Sequence, residues 1–288
     1  MSLVVNTNIS SNYAMNKLSQ HQDDLALTFR RVSSGLRITR AADDPAGYAM
    51  GERIDSRIIS SKQAGRNAND GVSILQTSES AANEVANIIK RMRELAVQSS
   101  SESLSTDDRG SANSEFQELS KEVQRIADVT EFNDIALTSS ATTGWGGNAS
   151  ITVQIGIFGT ANDRINIDLA DLRSTTLGVS YSGSADSTHI YLNTTTAATS
   201  AISRLDASLS TVNSFRGTFG AVQNRLESIL RTIDDQTENL QNAKSRIMDA
   251  DFAYETAQMA KLQVLQQASI AILAQANSTS QYALRLIA

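Results

Sequence analysis

Between Leu205 and Ala250 every seventh residue is apolar: Leu205, Val212, Phe219, Leu226, Ile233, Leu240 and Ile247. Three places after each of these stand Ser208, Phe215, Val222, Ile229, Gln236, Ala243 and Ala250. An a/d stripe held over this many repeats specifies a long helix with a narrow apolar seam. At about 1.5 Å per residue the helix is roughly 65–70 Å long. A single helix cannot bury its own seam, so other parts of the chain have to cover it.

Composition agrees with a chain made mostly of long helices. The only proline in 288 residues is Pro45, and proline is the residue that breaks helix interiors. Aromatic residues are 5% of a chain that is 40% hydrophobic. That balance suits seams of Leu, Ile and Ala better than the core of a globular enzyme. The net charge of -6 leaves no basic footprint for nucleic acid. Cysteine is absent, which excludes a disulfide framework and thiol chemistry. The segment MSLVVNTNISSNYAMNK lacks the basic and apolar regions of a cleaved signal peptide. No charged residue lies between Leu262 and Leu284, yet Gln263, Gln266, Gln267, Gln275, Asn277 and Gln281 argue against a membrane span.

Taken in order, residues 8–36 predict a first helix with the seam Met15, Leu18, Gln22, Leu25, Phe29, Val32, Leu36. Ser33, Ser34 and Gly35 end it. Asp44 is placed to cap a second helix, with Pro45 at its first position. This helix runs to about residue 100 on a seam that includes Leu75, Val85 and Ile89. Asp107 and Asp108 open a third, to about residue 129, with Phe116 and Val123 on its seam. These two helices are the natural cover for the stripe at 205–250. Residues 151–169 alternate as a β-hairpin. Residues 174–196 are polar, with a short strand at 188–192, and predict a surface excursion. A last helix over about 252–276 is apolar nearly all round, which in a single chain leaves it with too little to bury against.

Catalysis finds no support. His21 and His189 are far apart and form no metal-ligand spacing. The pairs Asp43-Asp44, Asp107-Asp108 and Asp234-Asp235 are read as helix caps and surface groups ahead of acid–base pairs. No GxSxG, GxxxxGK[ST] or GxGxxG occurs. No cofactor is expected.

The blocks VNTNISSNYAMNKL, RVSSGLRITRAADDPAGYAM, QAGRNANDGVSILQTSESA, IIKRMRELAVQSS and EVQRIADVTEFNDIAL occur in that order. After the hairpin come GAVQNRLESI, ENLQNAKSRIMDADFAYETAQMAK and ILAQANSTSQYALRLI. In these blocks the sequence resembles bacterial flagellin, over roughly 4–137, 151–180 and 197–288. It departs at Pro45, where many relatives have alanine, and at Asp134, where glycine is usual. The resemblance implies a mainly α fold: a long antiparallel bundle of N- and C-terminal segments with a small β-hairpin on its flank. It implies a terminal coiled-coil domain from 1–44 and 251–288, disordered in the monomer, and a rod-like helical domain from 45–173 and 197–250. The large outer domains are reduced to about 174–196.

The same resemblance implies a subunit of the flagellar filament, a homopolymer outside the cell, exported by the flagellar apparatus without a cleaved signal peptide. Filament-core packing then falls to Leu18, Leu25, Phe29, Val32, Leu262, Leu265, Ile272 and Leu273, and the rod seam to Leu75, Val85, Ile89, Phe116, Val123, Phe219, Leu226, Ile233, Leu240 and Ile247. Implied partners are the filament cap, hook–filament junction proteins, an export chaperone and the Toll-like receptor for flagellin. Arg91, Leu95 and Glu115 align onto the receptor determinant, which is also an inter-subunit contact. Two other readings are a hook–filament junction protein, which shares such ends, and a flagellin with a central metallopeptidase. The second is set aside because HExxH is absent and the excursion is short.

Overall fold

The computed structural model describes residues 8–139, 150–180 and 190–287, with side chains of the last helix described to Ser278. Five helices dominate: α1 (Ile9–Ser34), α2 (Pro45–Ser99), α3 (Thr106–Val129), α4 (Thr195–Met248) and α5 (Phe252–Ile287). Four short strands follow α3: β1 (Glu131–Phe132), β2 (Ile135–Ala136), β3 (Ser150–Gln154) and β4 (Arg164–Asp168). Helix α5 runs past the expected end near residue 276. Trp145, His189 and the first two residues of the expected strand at 188–192 lie outside the described residues. The rest of that segment, 190–192, is not strand.

Helix ends follow local chemistry. Asn8 caps α1 by accepting from Ser11 N–H at 3.0 Å, and Gly35, with φ +70°, closes it in the left-handed region. Asp44 accepts from the N–H groups of Ala46 and Gly47 at 3.1 and 3.0 Å, as its place before Pro45 predicts. For α3 the cap is Ser105, in a capping box with Asp108. The Asp pair supplies the reciprocal partner and the first-turn charge, and not the cap itself.

The chain forms two compact units: residues 59–237, and residues 1–58 with 238–288. In the first, one continuous core joins α2, α3, α4 and the hairpin. Leu75, Val85 and Ile89 from α2, Phe116 and Val123 from α3, and Leu205, Val212 and Leu226 from α4 are fully buried. Phe219 and Ile233 are buried as well. Strands β3 and β4 pair antiparallel with Ile151 opposite Ile167 and Val153 opposite Ile165, all four facing the core. Gly71 is where the layers meet. A Cβ there would touch Leu226, Val153 and Ile167 at 3.4–3.5 Å.

The segment 174–196 departs from the expected surface excursion at both of its described ends. Leu177, Val179, Ile190 and Leu192 are buried in this same core. Their backbone is held by side chains of the helices: Ser208 Oγ donates to Leu177 C=O at 2.6 Å, and Ser120 Oγ to Val179 C=O at 2.8 Å. Leu192 N–H donates to Asn113 Oδ1 at 3.0 Å. The polar composition of the segment hides four apolar anchors.

In the other unit α1 and α5 run antiparallel, Asn8 near Ala276 and Arg31 near Glu255. Arg37 N–H donates to Met248 C=O at 2.7 Å, and Ala250 N–H to Gly35 C=O at 2.9 Å. An ion pair joins Lys244 to Asp55. These ties draw 45–58 and 238–250 into the terminal unit, although the sequence reading assigns them to the rod. Leu240 and Ile247 therefore continue the α4 stripe in a different unit, where both are only half-buried.

Two predictions follow from this packing. Phe219→Ala removes a buried aromatic ring and lowers unfolding stability by about 3–5 kcal/mol, measured by denaturant titration. Between β1 and β2 the turn residues Asn133 and Asp134 have φ of 52° and 62°, a two-residue turn in which glycine is preferred at the second place. Asp134→Gly raises the thermal midpoint, by relief of about 0.5–1 kcal/mol of left-handed strain.

Candidate assembly and recognition surfaces

The α1 seam is set by its spacing and by α5. It runs through Ser11, Ala14, Leu18, His21, Leu25, Thr28 and Val32, buried or half-buried at alternating steps of three and four, with Lys17, Leu27, Arg30 and Arg31 half-buried beside it. Leu18, Leu25 and Val32 are thus where the sequence predicted them. Met15 and Phe29, 55% and 63% exposed, are not. The stripe read from apolar residues alone lies to one side of the seam in use, because the seam also takes small polar residues. Ser11 Oγ donates to Asn277 Oδ1 at 3.0 Å across the pair, and Thr28 Oγ1 folds back on Asp24 C=O at 3.0 Å.

On α5, Leu262 is buried, Leu265 and Leu273 are half-buried, and Ile272 is 60% exposed. Of the eight residues expected in the filament core, Phe29 and Ile272 are the two left exposed within the single chain. At the far end of the pair Arg31 Nη1 lies 3.3 Å from Glu255 Oε1, with the carboxylate buried. A buried carboxylate needs its partner, and this one fixes the helix register. Beyond the seam a set of large apolar side chains stays exposed in this unit: Ile9, Tyr13, Met15, Phe252, Tyr254, Val264 and Ile270, besides Phe29 and Ile272. Such apolar exposure marks an interaction surface.

In the loop before α2, Asp43 accepts from Thr39 Oγ1 at 2.7 Å, Thr39 N–H at 3.0 Å and Arg40 N–H at 3.1 Å. The Thr39 hydroxyl, then these N–H groups, hold its carboxyl below the usual carboxylate range.

On the other unit, Arg91 of α2 bonds Glu115 of α3, Nη2 to Oε1 at 2.9 Å, and Glu94 at 3.0 Å. Glu115 first and Glu94 second raise the guanidinium further above its ordinary value. Both Arg91 and Glu115 are about half exposed and present their charged groups at the surface. Leu95 does not. It is 2% exposed and part of the core, because the face of α2 it occupies is covered. Within the single chain Leu95, expected at a contact surface, packs in the core. Sequence reading missed the neighbouring Arg93–Asp206 pair at 2.6 Å, which links α2 to α4 and has no sequence signal at a separation of 113 residues.

Among the described residues no group of three His, Cys, Asp or Glu side chains is placed to hold a metal. Among them, too, no helix is long and apolar enough to cross a membrane.

Paired terminal helices with uncovered apolar faces, joined to a helical unit with its own core, define a self-associating structural protein. Residues 5–143 match the family described as bacterial flagellin N-terminal helical region, and 202–287 match bacterial flagellin C-terminal helical region. The chain is 37% identical over 285 residues to a flagellin of Halalkalibacterium halodurans, covering 99% of this chain and 100% of that one. It is 34% identical over 287 residues to the flagellar filament 33 kDa core protein of Treponema phagedenis, covering 99% and 100%. A putative flagellar hook-associated protein from Vibrio parahaemolyticus shares the fold, with a TM-score of 0.58, 13% identity, and coverage of 72% of this chain and 100% of that one. The chain belongs to the bacterial flagellin family and is a structural subunit of the flagellar filament, an extracellular structure.

Two predictions separate the roles assigned here. Leu95→Ala costs about 2–5 kcal/mol of unfolding stability, whereas Arg91→Ala leaves the thermal midpoint close to that of the parent; calorimetry of both decides. Asp43 has a depressed folded pKa, so its contribution is present above its ordinary value of 3.8 and is lost as pH falls through the lower folded value. Carboxyl NMR is expected to show Asp43 titrating below the exposed aspartates, and Thr39→Ala moving it back toward them.

Proposed function

We propose that the subunit joins its filament by burying the exposed faces of α1 and α5 against neighbouring copies. The observation that carries this reading is the apolar set from Ile9 to Phe29 and from Phe252 to Ile272, which the α1·α5 pair leaves uncovered. Two helices that cover only one seam of each other gain too little from burial to offset their ordering entropy. In the free subunit they are frayed or disordered; in the filament they are folded. The 59–237 unit has a closed core and is folded in both states.

Family membership supports the remaining assignments. The chain passes through the flagellar export apparatus without a cleaved signal peptide, aided by an export chaperone, and is added beneath the filament cap on junction proteins. It performs no catalysis and uses no cofactor. Arg91 and Glu115 form the exposed part of the surface read by the Toll-like receptor for flagellin, with Leu95 supporting it from below. The hook–filament junction reading gains nothing from the Vibrio parahaemolyticus structure, since 13% identity carries the fold alone.

Two experiments test this. Removing 262–288 leaves the helical circular dichroism and cooperative melting of the 59–237 unit in place and abolishes polymerisation; truncated protein that still forms filaments of normal length in electron micrographs contradicts the role given to α5. Purified monomer activates receptor-reporter cells, and Arg91→Ala lowers that response without loss of folding. A silent monomer, beside a responding control flagellin, contradicts the receptor assignment.

A further inference from the structure

The outer face of the β3–β4 hairpin is polar. In its register Thr152 stands opposite Asn166, and Gln154 opposite Arg164. By alternation these four lie on the face away from the core that Ile151, Val153, Ile165 and Ile167 fill. On α4, Arg225 directly precedes the buried Leu226, which meets Gly71 together with Val153 and Ile167. That packing sets the exposed Arg225 beside the hairpin. Thr152, Ala161, Arg164, Ile165, Asn166 and Arg225 line a cleft of about 450 Å³ there, within the 59–237 unit.

The cleft is rich in hydrogen-bond donors and holds no carboxylate. Thr152 Oγ1 donates to Asn166 Oδ1 at 2.9 Å, so the side-chain N–H groups of Asn166 are the part of that amide left to donate. Arg164 Nε donates to Gln154 Oε1 at 3.1 Å, and Gln154 Nε2 is spent on the carbonyls of Gly156 and Phe158 at 3.0 and 2.7 Å. This chain of bonds fixes the Arg164 guanidinium and leaves its Nη groups available. Arg225 makes no hydrogen bond or ion pair among the described residues. The neighbouring acids are placed elsewhere. Asp163 is held by Thr160 Oγ1 in the hairpin loop, Asp168 stands opposite Ser150 one pair further along the strands, and Glu227 accepts from Gln223 on α4. Two cations thus line one cleft with no anion of the chain between them.

We propose that this cleft binds the oxyanion of a phosphate or sulfate group, either free or carried on a polymer. A guanidinium presents a planar fork of N–H donors that matches such a group bidentately. Arg164 and Arg225 supply two forks from different elements, and Asn166 supplies a neutral donor beside them. Because Arg164 is held in place before binding, less side-chain freedom is lost when the anion arrives. The cleft is built within one unit, so it works in the free subunit and does not depend on filament contacts.

The full chain, kept as free subunit, is titrated with inorganic phosphate and with sulfate, and with chloride at matched ionic strength, while the side-chain N–H signals of arginine and asparagine are followed by NMR. Saturable shifts of Arg164, Arg225 and Asn166 are expected with phosphate or sulfate and not with chloride. Arg225→Gln weakens binding by roughly tenfold or more, as loss of a charge-assisted bond implies. The double variant Arg164→Gln, Arg225→Gln abolishes it, with circular dichroism confirming the fold. Arg231→Gln, an exposed arginine on another face of α4, leaves it unchanged. Titration with dextran sulfate separates the two sources. A polymer that moves the same signals, and fails to do so in the double variant, assigns a polymer-borne group; one that leaves them unmoved assigns the free anion. Shifts that never saturate and track ionic strength alone, or binding that survives in the folded double variant, overturn the site.

Discussion

An apolar stripe along a helix has to be covered, and the way each stripe is covered decides what the rest of this chain does. From Leu205 to Ile233 the stripe on α4 is buried by α2, α3 and the β3–β4 hairpin within one unit. From Leu240 onward burial falls away, as the chain passes into the unit that holds α1 and α5. There the supply of covering surface runs short, and large apolar side chains remain in contact with water. Covered stripes give a stable folded unit, and uncovered ones supply the driving force for association.

The two units differ in how they are closed. The 59–237 unit is pinned by side chain-to-backbone bonds over long sequence separations, such as Asn113 to Leu192 and Asn67 to Gln154. The first satisfies a buried backbone N–H outside any helix or strand, and the second the C=O at the end of β3. Among the described residues the terminal unit is fastened by the Arg31–Glu255 and Lys244–Asp55 pairs, the Asn8 and Ser11 bonds to the end of α5, and the backbone ties from Gly35 and Arg37 to the α4–α5 junction. These bonds set the register of α1 against α5, while the apolar side chains outside that seam stay exposed.

Much of the architecture was legible in the sequence. Seam spacing located the first four helices and a nearly all-round apolar run the fifth, and alternation of Ile151, Val153, Ile165 and Ile167 located the hairpin, because periodicity reports directly on which face is buried. Three things were not legible. The α1 seam includes Ser11, His21 and Thr28, so a stripe drawn through Met15, Gln22 and Phe29 was shifted to a neighbouring face. Polar composition at 174–196 concealed Leu177, Val179, Ile190 and Leu192 as anchors. Leu95, expected at a contact surface by resemblance alone, lies in the core at 2% exposure. In each case the deciding information is long-range: which helix lies against which, and at what register.

Ordering of the terminal helices by neighbouring copies is what couples folding to assembly in the proposed mechanism. Hydrogen–deuterium exchange of the same protein before and after polymerisation measures this directly. Amides of 9–34 and 252–287 are expected to exchange rapidly in the free subunit and to become strongly protected in the filament, while amides of 68–96 and 205–233 are protected in both. Equal protection of the terminal helices in the two states would contradict the account.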